Sequence, residues 1–292
     1  MYPAEIETYA RPTTLVEATD LLSCYRPGDA LLLAGGQSVM QALKTRLIRP
    51  RCIIDLQAVA ELRNIIVDED GLRIGAMTNY ASIAINEKLY GSYHALRDAA
   101  SRVGDRQVRN RGTIGGSVCW NYIAACMPPV TLALDMQLEL VSKGGSRKVS
   151  AETFLGAPLE TNRDENEILV SLIAPKPEKN SGSAYKKWGL VTDALPVIGV
   201  CVNLNTDEQG KCLHAKIALV GLINCPCRSY EAEKVLVGTT SSNSTAIAEA
   251  TKTASDQVET QSDMWADADY RKQLIRSIGK EVIESAFLRA AD

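Results

Sequence analysis

Ala34-Gly35-Gly36-Gln37-Ser38 follows the short apolar run that begins at Ala30. Thr113-Ile114-Gly115-Gly116-Ser117 repeats its layout about eighty residues later. Each places paired glycines just before a hydroxyl at the edge of an apolar segment, where backbone amides turn towards an anion. Two such turns with strand-like patterning between them read as a pyrophosphate held from two sides, and so as a site for a dinucleotide cofactor.

Outward from the first turn, Thr13-Thr14-Leu15-Val16-Glu17-Ala18 opens a first helix with a hydroxyl cap, running to about Ser23. The run from Ala30 to Ala34 has strand character, and Ser38 is placed to cap a helix carrying Val39, Met40, Leu43 and Leu47 on one stripe, closed before Pro50. Cys52 to Leu56 is the next strand. A strand, turn, helix, strand order implies a parallel pair with a right-handed crossover. Asp55 stands about where a Rossmann fold carries its ribose-binding acid. The turn itself departs from that fold: two adjacent glycines are followed by bulky side chains where close helix packing needs the third glycine of the fingerprint. A nicotinamide-binding Rossmann half is therefore set aside.

Ile65 to Gly75 reads as a hairpin turning at Asp68-Glu69-Asp70-Gly71. Helices are expected over Tyr80 to Leu89 and from Ala95 towards Val103. Val130 to Val141 is divided by Asp135-Met136-Gln137 into a helix and a strand. The Pro-, Lys- and Ser-rich stretch from Ala174 to Ser183 predicts a linker or long exposed turn. Beyond it, Val197 to Leu204 and Cys212 to Leu222 have the pattern of buried strands. Three helical patterns close the chain, the last from about Ala268 to Ala290 with Leu274, Ile278, Val282 and Phe287 on one stripe.

The 292 residues fit two or three compact subdomains. With 46% hydrophobic and 23% charged residues the composition is that of a soluble globular protein. A net charge of -3 and the lack of a Lys/Arg run argue against nucleic acid as a partner. No apolar run reaches the roughly 18 to 20 residues of a membrane span, and the amino terminus lacks a secretion pattern, so a cytoplasmic location is expected. The eight cysteines then read as reduced thiols. Cys225 and Cys227 form the one close pair and lack the further ligands of a metal site, so they read as structural or incidental. His94 and His214 are the only histidines, too few for histidine-based metal or triad chemistry. Arg106, Arg109 and Arg111 precede the second turn. They read as solvated or partner-facing, because amides at a glycine turn bind pyrophosphate without side-chain charge. Thr113 and Ser117 carry hydroxyls able to add hydrogen bonds to the same anion.

These motifs, with Leu43-Lys44-Thr45-Arg46-Leu47, Ile54-Asp55-Leu56, Gly75-Ala76-Met77-Thr78 and Gln107 to Gly116, resemble the FAD-binding medium subunit of molybdenum hydroxylases, the carbon monoxide dehydrogenase, xanthine dehydrogenase and quinoline and nicotine oxidoreductase family. The resemblance continues through Glu167-Ile168-Leu169, Tyr185-Lys186-Lys187, Ile217 to Gly221 and Tyr270-Arg271-Lys272, and so covers nearly the whole chain. It implies an α+β architecture: a vanillyl-alcohol-oxidase-type two-part FAD-binding domain followed by a small sheet-plus-helices C-terminal domain. The divisions expected are 1–58, 59–177 and 178–292. The implied cofactor contacts are Ala34, Gly35, Gly36, Gln37 and Ser38 in the first turn and Thr113, Ile114, Gly115, Gly116 and Ser117 in the second. Ile168 or Leu169 would lie near the flavin and Lys187 at its polar edge. No catalytic residue and no metal ligand are expected in this chain. The resemblance places a molybdopterin cofactor on a large partner subunit and two 2Fe-2S clusters on a small one, assembled as a dimer of heterotrimers, with this chain handing electrons to an external acceptor.

The chain departs from the family pattern at two positions. Cys126 stands where many relatives carry an acid that bonds the ribityl or ribose hydroxyls of FAD, and a thiol is a weak donor and acceptor. Leu195 stands where carbon monoxide dehydrogenase relatives carry an aromatic beside the flavin. Cys119 and Cys126 are too few for an additional cluster within the chain. Two alternatives go with the favoured reading: a stand-alone flavin oxidoreductase, and a structural subunit that has lost FAD.

Overall fold

The computed structural model describes residues 5–224 and 226–291; Cys225 lies outside the described residues. Helix α1 (Leu15–Ser23) starts where the sequence places it, with the Thr14 hydroxyl accepting from the Glu17 amide at 3.1 Å. Strands β1 (Thr8–Ala10), β2 (Ala30–Leu33) and β3 (Cys52–Asp55) form a parallel sheet in the order β1-β3-β2, with α2 (Val39–Lys44) between the last two strands in sequence. The β2–β3 pair is the parallel pair expected. Strand β1 was not foreseen: its three residues carry no apolar alternation, and pairing with β3 alone makes them a strand. Helix α2 is shorter than its stripe suggests. The chain turns at Arg46 with φ 60, the Leu47 amide returns to the Ala42 carbonyl, and Leu47 is left 71% exposed. Ala18 and Leu22 of α1 pack with Cys52 and Ile54 of β3 and with Ile168 and Val170 from the next sheet.

That next sheet has five antiparallel-paired strands in the order β4-β5-β8-β6-β7: β4 (Ile65–Asp68), β5 (Gly71–Gly75), β6 (Gln137–Ser142), β7 (Gly145–Ser150) and β8 (Ile168–Pro175). Between β5 and β6 come α3 (Tyr80–Ala84), α4 (His94–Ser101), α5 (Arg106–Arg111), α6 (Ile114–Trp120) and α7 (Met127–Ala133), and α8 (Ala151–Phe154) follows β7. Helix α3 stops well short of Leu89, because the Asn86 side chain accepts from the Lys88 amide and closes a local turn in competition with helix. Asp135, at φ 50, separates α7 from β6 as read.

The expected linker is only the exposed connection 176–180, since β8 runs through Pro175 and β9 (Ser181–Trp188) begins at once. Its polar composition marks solvent exposure and says nothing of length. Strand β9 joins β10 (Ile198–Thr206), β11 (Cys212–Val220) and β12 (Cys227–Arg228) in an antiparallel sheet of order β12-β11-β10-β9. Helices α9 (Tyr230–Leu236), α10 (Ser244–Gln257) and α11 (Ala268–Ala290) back this sheet, and the predicted stripe of α11 is buried. Gly182 lets α11 approach closely: a Cβ there would lie 2.2 Å from the Ala286 carbonyl oxygen. Across the same seam Arg289 donates to Asp98 of α4, which also accepts from the Tyr185 amide at 3.1 Å. This pair fixes β9, and with it Tyr185 and Lys187, against the helices of the five-stranded sheet.

Candidate functional site

The two glycine turns meet. Gly35 sits so close to the chain entering the second turn that a Cβ would lie 2.1 Å from the Arg111 carbonyl oxygen and 2.8 Å from Gly112 Cα. A Cβ on Gly116 would lie 3.4 Å from the Ala34 methyl group. Residues separated by about eighty positions thus form one wall, for which side chains at 35 would leave no room.

The turns differ in what they offer a ligand. In the first, Gly36 takes the left-handed conformation, φ 75, and the amides of Gly35, Gly36, Gln37 and Ser38 have no acceptor among the described residues. Consecutive unpartnered amides around a left-handed residue form a concave donor set suited to phosphate oxygens. The Gln37 side chain folds back to donate to the Gly35 carbonyl at 3.1 Å, and the Ser38 hydroxyl makes no capping bond. In the second turn the amides are occupied within the protein. Ile114 donates to the Thr78 carbonyl at 3.1 Å, Gly115 to that of Ala76 at 2.9 Å, and Ser117 to that of Thr113 at 3.1 Å. The Gly116 amide donates to Thr113 Oγ1, also at 3.1 Å. Thr113 is buried as the cap of α6, whereas Ser117 is half-buried beside the Tyr80 hydroxyl. The second turn therefore contributes a close-packed rail and a serine hydroxyl, and the first contributes the amides.

Asp55 is engaged elsewhere. Its carboxylate accepts from the Tyr9 hydroxyl at 2.5 Å and from the Gln57 amide at 2.9 Å, leaving no ribose-binding role of the Rossmann type. Arg106 and Arg111 are exposed, while Arg109 folds back onto the carbonyls of Val103 and Gly104.

The remaining candidates come from the segment before α7, from β8 and β9, and from the loop after β9. Cys126 is buried before α7, and burial pushes its thiol up from the ordinary value, so it is neutral at pH 7. Its neighbours are Tyr185, Lys187 and Arg102. Lys187 is half-buried, donates to the Ala194 carbonyl, and has its pKa held down by burial. Tyr185 is 2% exposed, and its hydroxyl has no hydrogen-bond partner of normal geometry. Ile168 and Leu169 are both buried but in different cores: Ile168 belongs to the one under the parallel sheet, and Leu169 to the larger one that also holds Cys126 and Tyr185. Leu195 is exposed, along with Leu190 and Val191 in the loop after β9. Sequence reasoning missed Tyr80 and Tyr185 as parts of the site. Both act through contacts far along the chain, and only Tyr185 stood within a motif block, Tyr185-Lys186-Lys187.

Among the described residues, no group of three or more His, Cys, Asp and Glu side chains is placed to hold a metal ion. No helix among them is long and apolar enough to cross a membrane. A cleft of about 530 Å3 opens on another face, lined in part by Tyr93, Pro175, Lys216, Arg228 and Tyr230. Among its charges Lys216 pairs with Asp135, and Arg228 with Glu233 at 2.7 Å.

Residues 4–177 match the family model described as the FAD binding domain in molybdopterin dehydrogenase, and residues 183–286 match the CO dehydrogenase flavoprotein C-terminal domain. The chain is 32% identical over 262 residues to the 6-hydroxypseudooxynicotine dehydrogenase complex subunit alpha of Paenarthrobacter nicotinovorans, covering 90% of this chain and 88% of the relative. It is 31% identical to the xanthine dehydrogenase FAD-binding subunit of Escherichia coli O157:H7, covering 98% of each. Among solved structures, a chain of carbon monoxide dehydrogenase from Hydrogenophaga pseudoflava superposes with a TM-score of 0.92 at 30% identity, covering 99% of both chains.

Proposed function

The chain belongs to the FAD-binding medium subunits of molybdenum hydroxylases, and from that membership we propose that it holds FAD with its pyrophosphate on the first glycine turn and its flavin towards Cys126 and Lys187. The observation that carries the reading is the set of unpartnered amides from Gly35 to Ser38, pressed against the second turn. Bound FAD supplies electron exchange between the iron-sulfur clusters of a partner and an external acceptor. The chain is thus the flavoprotein subunit of an oxidoreductase whose substrate is hydroxylated on a partner molybdenum subunit.

The amides of Gly35, Gly36, Gln37 and Ser38 donate to the diphosphate, with Ala34 closing the floor of the turn. Gly116 allows close approach from the opposite side, and Ser117 adds a hydroxyl. Ile114 and Gly115 fix that rail through their bonds to the Thr78 and Ala76 carbonyls just after β5, and the Thr113 hydroxyl caps it by accepting from the Gly116 amide. Leu169, with Ile168 behind it, gives the flavin end an apolar wall, and Lys187 presents a desolvated ammonium there. The working divisions are 1–58, 59–177 and 178–292, each containing one of the three sheets. The assembly is a cytoplasmic dimer of heterotrimers formed with a large molybdopterin-binding subunit and a small subunit bearing two 2Fe-2S clusters.

Purification of the complex followed by flavin extraction tests the reading. Stoichiometric FAD released from the intact complex, and no substrate hydroxylation by this chain alone, are expected. A flavin-free intact complex would make this a structural subunit, and substrate turnover by the isolated chain would make it a stand-alone oxidoreductase.

A further inference from the structure

Asn121 ends α6 in the left-handed conformation, φ 40 and ψ 49, which asparagine tolerates better than most side chains. It is wholly buried, although asparagine is mostly an exposed residue. Its Nδ2 donates to three carbonyls of one loop, those of Gly156 at 3.2 Å, Ala157 at 3.1 Å and Glu160 at 2.8 Å. Its own carbonyl accepts from the Leu159 amide of that loop at 3.0 Å. The Oδ1 atom has no partner among the described residues, so every side-chain bond of Asn121 is made to the loop. The loop is drawn tight around it. Gly156 donates to the Glu160 carbonyl at 3.2 Å, Leu155 pairs with Thr161, and Leu159 is held at φ 65, an unfavourable conformation for a leucine. A residue stays in such a conformation only where its surroundings over-determine it.

The same asparagine closes the helix of the second glycine turn. Its amide donates to the Ser117 carbonyl at 3.1 Å, in the last turn of α6. The other end of α6 is pinned by the amides of Ile114 and Gly115 to the carbonyls of Thr78 and Ala76. Gly116, which packs against Ala34, and Ser117 lie between these two pins. Releasing the second pin frees the last turn of a seven-residue helix, whose final carbonyls have no partners within the helix itself.

We propose that Asn121 is a positioning residue for the cofactor: its clasp on the loop 156–160 sets where Gly116 and Ser117 stand against the first glycine turn, and so sets the width of the diphosphate site. The inference rests on the FAD reading above. Asn121 acts through α6 and does not touch the ligand, since it has no exposed surface with which to do so.

The test uses the intact complex, with flavin content measured first by extraction and the cofactor then removed and rebound. Asn121→Gly keeps the left-handed turn and deletes the clasp. It should weaken FAD binding, followed by flavin fluorescence, about tenfold, the scale of one hydrogen bond to a charged group. ADP, measured by competition with FAD, should weaken by the same factor, because it carries the diphosphate without the flavin. Both constants are read well below the melting temperature, where the protein is folded, so a loss of stability alone moves neither. Asn121→Ser retains a single donor and should weaken both ligands by a smaller factor; it decides the matter if the glycine variant does not fold. FAD affinity within about twofold of the parent in the variant that folds overturns the proposal. So does a loss for FAD with ADP unchanged, which would put the effect at the flavin. A parent complex that yields no flavin on extraction overturns the FAD reading instead, and is recognised before any variant is compared.

Discussion

Replacing Gly35 by alanine puts a methyl group 2.1 Å from the Arg111 carbonyl oxygen and 2.7 Å from its carbon. Ordinary contact begins near 3.4 Å, so the two turns must separate by about 1.3 Å, and neither partner is a side chain that can swing away. Gly35 is not among the residues with positive φ, so an alanine there suffers no backbone strain and would otherwise stabilise slightly. Overpacking of this kind costs about 1–3 kcal/mol. The same shift moves the amides proposed to hold the diphosphate. Losing one hydrogen bond to a charged group, worth about 1.5–3 kcal/mol, lowers affinity roughly 10- to 100-fold. Gly28→Ala is the matched control: Gly28 has φ 84 and open space around its Cβ position. It should cost about 1–2 kcal/mol of conformational strain and leave FAD affinity unchanged. Urea unfolding and FAD binding followed by flavin fluorescence measure both quantities. If Gly35→Ala matches Gly28→Ala in stability and affinity, the meeting of the turns is not what forms the site.

Arg147→Met strips Glu167 of a two-pronged partner, whose bonds are 2.6 and 2.8 Å, just ahead of Ile168 on β8. The Arg147 hydrogen bonds hold the Glu167 carboxyl below its ordinary value of 4.5. Its stabilisation is therefore present above that value and is lost as pH falls through the lower folded one. The variant should be less stable by about 1–3 kcal/mol at pH 7, with the difference shrinking in acid denaturation below about pH 4.5; a constant difference down to pH 3 would contradict this. Asp55→Asn should cost about 1 kcal/mol by weakening the Tyr9 bond, while FAD affinity stays within twofold of the parent. A tenfold loss of affinity would restore Asp55 as a cofactor ligand.

Local chemistry was readable in advance wherever the partners are close in sequence. The hydroxyl cap in Thr13-Thr14, the Asp68 to Gly71 hairpin turn and the break at Asp135 depend on neighbours within a few residues. Elements made by distant partners were not readable. Thr8–Ala10 becomes a strand because β3 offers it an edge to pair with, and half of the stretch at 174–183 is strand because β5 and β10 supply its pairing. The site divides in the same way. Both glycine turns, Cys126 and Lys187 were visible as residues, whereas Tyr185 had no local signal, because its significance lies in a hydroxyl that its own strand does not satisfy.

The sequence by itself determined that two glycine turns of the same layout exist, that the first is not a Rossmann turn, and that the chain follows the pattern of a flavoprotein subunit. It did not determine which turn presents amides to a ligand. Tertiary structure decided that, because the acceptors for the Ile114 and Gly115 amides are the carbonyls of Thr78 and Ala76, almost forty residues earlier in the chain. No equivalent acceptors face Gly35 to Ser38 among the described residues. Two turns alike in sequence thus differ in what they can offer a ligand: a backbone donor is available to a phosphate only when folding has left it without a partner.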